Sequence, residues 1–203
     1  MKHPIRTMTL AGAAILVLVV LVGDVAFGQL APAPAVPAGE ILRTRQPPAF
    51  TTEKTPVFQT SMRTQSSARP PDWGRVVFQF ETQPDWLDEL EFTFYVYVKD
   101  QSARGAEVML RGVVTYLNVA KGRHQADIFM HPSTLSRMGR PEQFAVVIRH
   151  RGAVVASGST ATTPNWWERF PPVDGVLLTR AQTPFALIEY DAYNLIKPAA
   201  AAR

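Results

Sequence analysis

The segment Leu90 to Lys99 constrains the fold more than any other stretch, because apolar and polar residues alternate along it. One set of alternate positions carries Leu90, Phe92, Phe94, Val96 and Val98, and the other carries Glu91, Thr93, Tyr95, Tyr97 and Lys99. Successive side chains of a β-strand point to opposite faces. The segment therefore predicts a half-buried strand, with the first set in the core and the second on an amphipathic face available for covering by another segment.

Shorter runs of the same kind recur along the chain, at intervals of roughly ten to fifteen residues. The predicted strands are Arg75 to Thr82, Leu90 to Lys99, Glu107 to Val119, His124 to Met130, Gln143 to Arg149, Ala153 to Ser157, Val176 to Thr179 and Phe185 to Tyr190. Gly112 predicts a bulge or bend, Lys121-Gly122 a turn, and Arg151-Gly152 a tight hairpin between two strands. Pro132 to Met138 predicts a single helical turn, with Ser133 available as its cap and Gly139 closing it. About eight short strands with so little helix predict an all-β fold, an immunoglobulin-like antiparallel β-sandwich.

The first 28 residues read as a signal peptide. Lys2 and Arg6 precede an uncharged apolar run from Leu10 to Val22, and Ala26-Phe27-Gly28 supplies the small residues of a cleavage site. The sequence therefore predicts an exported protein of the periplasm or cell surface. The alternative is an uncleaved N-terminal anchor, and a membrane is a predicted partner only if this segment is retained.

Residues 29–72 contain eight of the 17 prolines and predict a proline-rich flexible linker. Phe50, Val57 and Phe58 are the residues of this stretch best suited to dock a short strand onto the edge of the domain. Composition changes at Trp73, so residues 73–197 are predicted to form the sandwich and residues 198–203 a disordered tail.

Composition excludes several classes of protein. The chain has no cysteine, so neither a disulfide nor a thiolate zinc site can stabilise it, and stability must come from a buried core. The formal net charge is only +4, with scattered arginines and no basic run. Nucleic acid is therefore not a predicted partner.

No constellation of residues predicts catalysis. His124, His131 and His150 are far apart in sequence and in no metal-binding pattern, and no serine lies in a Gly-x-Ser-x-Gly elbow. The carboxylates Asp85, Asp88, Glu89 and Glu91 lack the spacing of a calcium loop, and Asp85 with Asp88 suits a capped turn before the next strand. We therefore expect a protein that is not an enzyme and that has no cofactor and no metal.

The strongest surface candidate is the segment Asn165 to Pro172, which is predicted to be a loop. Trp166, Trp167, Arg169 and Phe170 are its predicted partner-binding residues, because aromatic and arginine side chains dominate binding hot spots. In the alternative interpretation these aromatic rings are buried and plug one end of the sandwich. Trp73 and Trp86 are expected to seal the ends of early strands.

Four segments of the chain resemble a known group of proteins. They are Trp86 to Leu90, Phe92 to Lys99, Val114 to Gly122 and Gln182 to Ala186. They resemble an exported immunoglobulin-like sandwich protein of verrucomicrobial bacteria, encoded beside type IV pilus-like genes, and the likeness covers roughly Trp73 to Tyr193. The resemblance implies a fold and a place in the envelope but no catalytic residues.

Together these features predict a non-catalytic exported module that mediates protein–protein interaction in the cell envelope, as part of a pilus-like or secretion assembly. The predicted partner is an envelope or extracellular protein. The alternative is a carbohydrate-binding module that uses the Trp166/Trp167 loop, in which case the partner is a glycan. A hydrolase remains only as a residual hypothesis.

Overall fold

The structure, a computed structural model, describes residues 41–57, 69–188 and 193–198. The predicted signal peptide, part of the predicted linker and most of the predicted tail lie outside these residues. The strands are β1 (Leu42–Thr44), β2 (Ala49–Lys54), β3 (Asp72–Asp100), β4 (Ala106–Met130), β5 (Gln143–His150), β6 (Ala153–Ser159), β7 (Pro172–Val173), β8 (Leu177–Leu178) and β9 (Leu195–Ile196). Within the described residues, helix α1 (Pro132–Met138) follows β4, and 3-10 turns cover Gln101–Ala103, Trp166–Arg169, Arg180–Gln182 and Pro184–Leu187.

A single long antiparallel hairpin of β3 and β4 organises the sheet. The two strands pair from Gly74 opposite Met130 to Asp100 opposite Ala106. The register shifts once, between Thr82 and Trp86, where extra residues in β3 bulge away from β4. Each long strand replaces two predicted shorter ones, so the predicted interruptions at Gly112 and Lys121-Gly122 are wrong.

Gly112 lies within β4 for a packing reason instead. A Cβ atom at this position would come 2.5 Å from Cδ1 of Ile128 and 2.8 Å from Cβ of Leu177. The glycine therefore lets side chains of the core approach the backbone closely, which is a second common reason for glycine inside a strand.

The two halves of the long hairpin belong to two facing layers. The first half of β3 pairs with β1 and β2, and its second half pairs with β5, which in turn pairs with β6. Phe50 of β2 stacks on Phe144 of β5 at 5.8 Å between ring centroids, and Phe80 contacts Phe92 at 4.8 Å. One mixed sheet thus folds over a shared core, and the predicted all-β, sandwich-like fold is confirmed.

The first two strands lie within the stretch predicted as linker. Ile41 and Leu42 are buried, and β2 pairs with residues 72–77 of β3, from Lys54 opposite Asp72 to Ala49 opposite Val77. The sandwich therefore begins near Leu42 rather than at Trp73, because a few apolar side chains are enough to dock this proline-containing stretch. The expected docking onto the domain is seen for Phe50, whereas Val57 is exposed and Phe58 lies outside the described residues.

The C-terminal part wraps around the free side of β4. Within the described residues, β7 pairs with β4 in parallel, and β8 and β9 pair with it antiparallel. Phe185 was predicted to lie in a strand, but it belongs to the 3-10 turn Pro184–Leu187, in which the hydroxyl of Thr183 accepts the N–H of Phe185.

The predicted helical turn and the predicted β5–β6 hairpin are both confirmed. Helix α1 ends at Gly139, which has a φ of 84° and donates its N–H to Leu135, but its cap is the side chain of His131 rather than Ser133. Arg151 and Gly152 both have positive φ between β5 and β6, as the tightest hairpin turns require. None of the helices formed by the described residues has the length and apolar character that a bilayer crossing requires.

Candidate functional site

The predicted partner-binding segment lies against the outer face of the layer that contains β5. Trp166–Arg169 forms one 3-10 turn, and Trp166 and Trp167 are only 4% and 7% exposed. The indole Nε1 of Trp166 donates a hydrogen bond to the hydroxyl of Ser159 at 2.8 Å. This bond satisfies the one polar atom of the ring, so burying the indole leaves no unpaired donor.

The two tryptophans cover the amphipathic face of the Leu90–Lys99 strand. The ring of Trp167 stacks on Tyr95 at 6.0 Å, and the ring of Trp166 meets Tyr97 edge to face at 6.3 Å. We call Tyr95, Tyr97, Trp166 and Trp167 the aromatic cover. Burial, together with a hydrogen bond to Glu107, raises the pKa of the Tyr97 hydroxyl to about 12.

This burial of the two tryptophans agrees with the alternative interpretation, in which the aromatic rings are buried, but the rings cover the face of a strand rather than one end of the sandwich. Their rings face the sheet, so a partner has no free access to them in this conformation. Of the four predicted residues, Arg169 is exposed and Phe170 is half-buried, with its ring 5.5 Å from that of Tyr97. The sequence left burial and exposure open and could not identify Tyr95 and Tyr97 as the covering partners, because these tyrosines are about 70 residues earlier in the chain.

An open depression of about 300 Å³ lies at the edge of the aromatic cover. We call it the rim depression, and its lining residues are Tyr97, Lys99, Glu142, Gln143, Ala161, Thr163, Trp166, Arg169 and Phe170. Lys99 and Glu142 form an ion pair at 3.0 Å across one side of it. The depression therefore joins an aromatic floor to a rim of charged and polar groups, and three of the four predicted residues line it.

The histidines are engaged separately from one another. The Nε2 atom of His124 lies 2.7 Å from the carbonyl of Ala120, His131 caps α1, and Nδ1 of His150 lies 2.9 Å from the carbonyl of Glu89. Within residues 41–57, 69–188 and 193–198, no group of three or more histidine, aspartate or glutamate side chains is arranged to hold a metal ion.

The clustered carboxylates each contact a different cation. Asp85 lies 3.7 Å from Lys121, Asp88 lies 3.0 Å from Arg151, Glu89 lies 3.0 Å from Lys197 and Glu91 lies 3.4 Å from Arg149. These carboxylates therefore do not converge on one point, which a shared acid–base or metal site would require.

Of the two tryptophans expected to seal strand ends, only Trp73 is buried. Its ring packs on Phe185, and its Nε1 donates to the hydroxyl of Thr55 at 3.0 Å. Trp86 lies next to the bulge in β3 and is 67% exposed, so its expected sealing role is wrong. The bulge turns its side chain away from the core.

A buried ion cluster on the opposite layer was not predicted from the sequence. Oδ2 of Asp127 accepts hydrogen bonds from Nε and Nη2 of Arg75, at 3.0 and 2.8 Å, and from Nη2 of Arg180 at 2.6 Å. Arg180 also lies over the ring of Tyr193 at 3.5 Å. We call Arg75, Asp127 and Arg180 the ion cluster; it fixes the C-terminal segment onto the sheet.

A usable signal for this cluster was present in the sequence. Asp127 stands inside an otherwise apolar strand end, Ala126 to Met130, and a charged residue in such a place is almost never fully buried unless it is paired. The pattern could have predicted a paired carboxylate. It could not have named Arg180, which is 53 residues away.

Fold and site together define a sandwich-like all-β module with an aromatic cover on one outer face and an ion cluster on the other. A family model matches residues 41–200, and the chain belongs to that family. The match begins at the first described residue, in agreement with a domain that includes β1 and β2.

A solved structure supports the same fold. The chain is similar to a protein from Akkermansia muciniphila, a verrucomicrobial bacterium, whose crystal structure superposes with a TM-score of 0.71 at 22% identity. The similarity covers 79% of this chain and 94% of that one. No curated protein matches the chain. The predicted likeness to a verrucomicrobial sandwich protein is thus supported at the level of fold.

Proposed function

We propose that this protein is a non-catalytic exported module that binds another protein of the cell envelope through the rim depression. The observation that carries the proposal is the arrangement of Arg169 and Phe170 there. A half-exposed aromatic ring lies beside an exposed guanidinium at the border of a buried aromatic layer. Protein interfaces concentrate their binding energy in such aromatic and arginine anchors, surrounded by a polar rim.

The buried tryptophans contribute to this proposal by positioning the anchors. Because Trp166 and Trp167 hold the 3-10 turn against Tyr95 and Tyr97, the following residues are presented from a rigid support rather than from a free loop. A preorganised surface loses less conformational entropy on binding. The tryptophans are then positioning residues, and Arg169 and Phe170 are the contact residues.

The place of action in the proposal comes from other parts of the sequence. Residues 1–28 have the pattern of a secretory signal, and the resemblance to a verrucomicrobial protein encoded beside type IV pilus-like genes supports a pilus-like or secretion assembly. Export and pilus association are therefore parts of the proposal, as is the absence of a catalytic role.

Site-specific photo-crosslinking in native envelopes tests the proposal. A photoreactive residue is placed at Thr163, which lines the rim depression, or at Thr52, an exposed threonine of β2 on the other layer. We expect a discrete crosslinked product from position 163 that Arg169→Glu and Phe170→Ala remove without changing the melting temperature. The same products from both positions, or a product that survives both substitutions, would contradict the proposal.

A carbohydrate ligand is the second candidate, because the rim depression also combines an aromatic ring with the polar side chains of Glu142 and Gln143. Sugars stack on exposed ring faces, and here only the Phe170 ring is partly free. A glycan array with hits that Phe170→Ala abolishes, together with no crosslink at position 163, would favour the sugar. No hits and unquenched tryptophan fluorescence during sugar titration would dismiss it.

A further inference from the structure

A larger depression, of about 340 Å³, opens on the layer opposite the rim depression and has no part in the proposed function. We call it the polar depression. Its lining residues come from the segment after β1, from both long strands and from the C-terminal segment: Arg45, Gln79, Phe80, Glu81, Arg123, His124, Gln125 and Asn194. The volume lies within the range of sites that take small molecules.

The charges around the polar depression are unequal. Among the residues that the structure describes, Glu81 is the only carboxylate that lines the depression, and it accepts a hydrogen bond from Nη2 of Arg45 at 2.8 Å. Arg123 is the register partner of Glu81 on β4, is exposed, and forms no ion pair with any residue that the structure describes. Glu81 is therefore paired with Arg45, and the guanidinium of Arg123 is left for an external anion.

The neutral side chains suit a hydroxylated ligand. Gln79 and Gln125 are register partners that line the depression beside Arg123, and Asn194 joins them from the other side. A carboxamide carries both donors and an acceptor, and the hydroxyl groups of a sugar likewise both donate and accept. A site for a bare anion would need donors alone.

His124 makes the wall of the depression rigid. Its Nε2 atom is held by the carbonyl of Ala120 at 2.7 Å, and its ring stacks on Phe80 with 5.4 Å between centroids. Phe80 is itself buried in the core, so the strand that carries Arg123 is anchored on both sides of that residue. A rigid support of this kind keeps a binding group in place before the ligand arrives.

We propose that the polar depression binds an acidic saccharide. The guanidinium of Arg123 pairs with the carboxylate of the sugar, because arginine presents two parallel N–H donors that match a carboxylate. The carboxamides of Gln79, Gln125 and Asn194 then bind its hydroxyl groups. This site is separate from the rim depression, so the saccharide proposal does not depend on the proposed protein interaction.

Titration calorimetry with the purified chain tests this proposal, with glucuronate, glucose and inorganic phosphate as probes. We expect saturable binding of glucuronate, weaker binding of phosphate and no measurable binding of glucose. Arg123→Glu should weaken glucuronate binding at least about tenfold, because the paired guanidinium is replaced by a like charge. Lys121→Glu is the matched control: it makes the same charge change two residues away on β4, outside the depression, and should leave binding within about twofold.

Any of four outcomes would overturn the proposal. Equal losses in Arg123→Glu and Lys121→Glu would mean that only net charge attracts the ligand. Phosphate binding as tight as glucuronate would mean an anion site without saccharide recognition, and glucose binding as tight would mean that Arg123 has no role. Absence of saturable glucuronate binding would remove the site altogether. Unchanged melting temperatures of both variants would show that a loss does not come from unfolding.

Discussion

The two outer faces of the sandwich bury segments of the C-terminal third by different physical means. On one face the aromatic cover lays Trp166 and Trp167 on tyrosines of β3. On the other face the ion cluster joins Arg180 to Asp127 and Arg75. Both attachments connect residues far apart in sequence, yet one relies on apolar area and the other on directed hydrogen bonds.

The two faces differ in how their contacts depend on buried area and on the exact placement of atoms. Aromatic burial contributes roughly in proportion to the area removed from water, and it tolerates small shifts. The ion cluster concentrates three donors on one oxygen, while Oδ1 of Asp127 and Nε of Arg180 have no partner within the described part of the protein. Desolvating such charges costs several kcal/mol per ion. We infer that the aromatic cover provides stability and that the ion cluster fixes position.

The largest effect should follow from removing the aromatic cover. Trp166→Ala/Trp167→Ala should lower the free energy of unfolding by about 5 kcal/mol or more, since a single buried tryptophan typically contributes about 3–5 kcal/mol and contacting residues are not additive. Denaturant unfolding followed by circular dichroism measures it. Phe170→Ala, a half-buried neighbour, is the control and should cost clearly less. Equal costs would mean that the cover does not carry the stability of this face.

Breaking the ion cluster should have the next largest effect. Asp127→Asn removes the counter-charge of the buried Arg180 and leaves the half-buried Arg75 with the carboxylate of Glu53, at 3.5 Å, as its counter-charge. Loss of one partner of a buried ion pair typically costs about 3–5 kcal/mol. The same denaturant experiment measures the loss.

A triple replacement separates stability from positioning in the ion cluster. Arg75→Met/Asp127→Leu/Arg180→Met removes all three charges at once and should recover most of the stability lost in Asp127→Asn. If the cluster fixes position, amide hydrogen exchange in residues 180–188 should be faster in the triple variant despite its recovered stability. Slow exchange there would refute the positioning role.

The contrast between the faces also shows which structural features could be predicted from the sequence. Alternation along Leu90 to Lys99 predicted both faces of that strand, because side-chain direction in a strand depends only on local geometry. The hairpin turn at Arg151-Gly152 was equally local. The covering of Tyr95 and Tyr97 was not local, because it depends on where a segment some 70 residues later is laid.

The errors in the long strands have the same origin. Gly112 and Lys121-Gly122 carry turn signals in the sequence, but pairing with β3 on one side and close packing of Ile128 and Leu177 keep β4 extended through them. Tertiary contacts override such local preferences. Asp127 was placed correctly in a strand, whereas its burial depends on two arginines that the strand pattern does not contain.

Raising the pH should lower the stability that the aromatic cover provides, because this stability requires an uncharged Tyr97. Its pKa is raised from 10.0 to about 12 by burial and by Glu107, so in the pH window between those values the folded protein holds a proton that the unfolded chain has lost. Stability is therefore complete below pH 10 and falls as the pH rises toward 12. Burial also raises the pKa of Tyr116, which lies near the ion cluster. Ionisation of Tyr116 should therefore add to the loss of folding stability at alkaline pH.

Tyr97→Phe sharpens the comparison, because it removes the ionisable group and keeps the ring. The unfolding midpoint in guanidinium chloride should fall less steeply between pH 9.5 and 11.5 than in the unsubstituted protein. Tyr95→Phe is the matched control on the same face and should leave the slope unchanged. An identical slope in all three proteins would show that Tyr97 ionises without cost and that the cover admits water at this position.

The smallest effect should come from the exposed ion pair at the border of the aromatic cover. Nε and Nη2 of Arg111 donate to the two carboxylate oxygens of Asp174, each at 2.6 Å, and this hydrogen bonding lowers the pKa of Asp174. Its stabilising contribution is therefore present above pH 3.8, the ordinary value, and disappears as the pH falls through the lowered pKa.

Asp174→Asn should lower the melting temperature slightly at pH 7 and low salt, with no difference in 1 M salt, because exposed charges are screened. Asp72→Asn, which loses a single contact with Lys54 at 2.7 Å, is the control and should show a still smaller change. A salt-independent loss in Asp174→Asn would mean that this contact resembles the ion cluster more than a surface pair, and that directed ionic contacts hold the C-terminal segment on both faces.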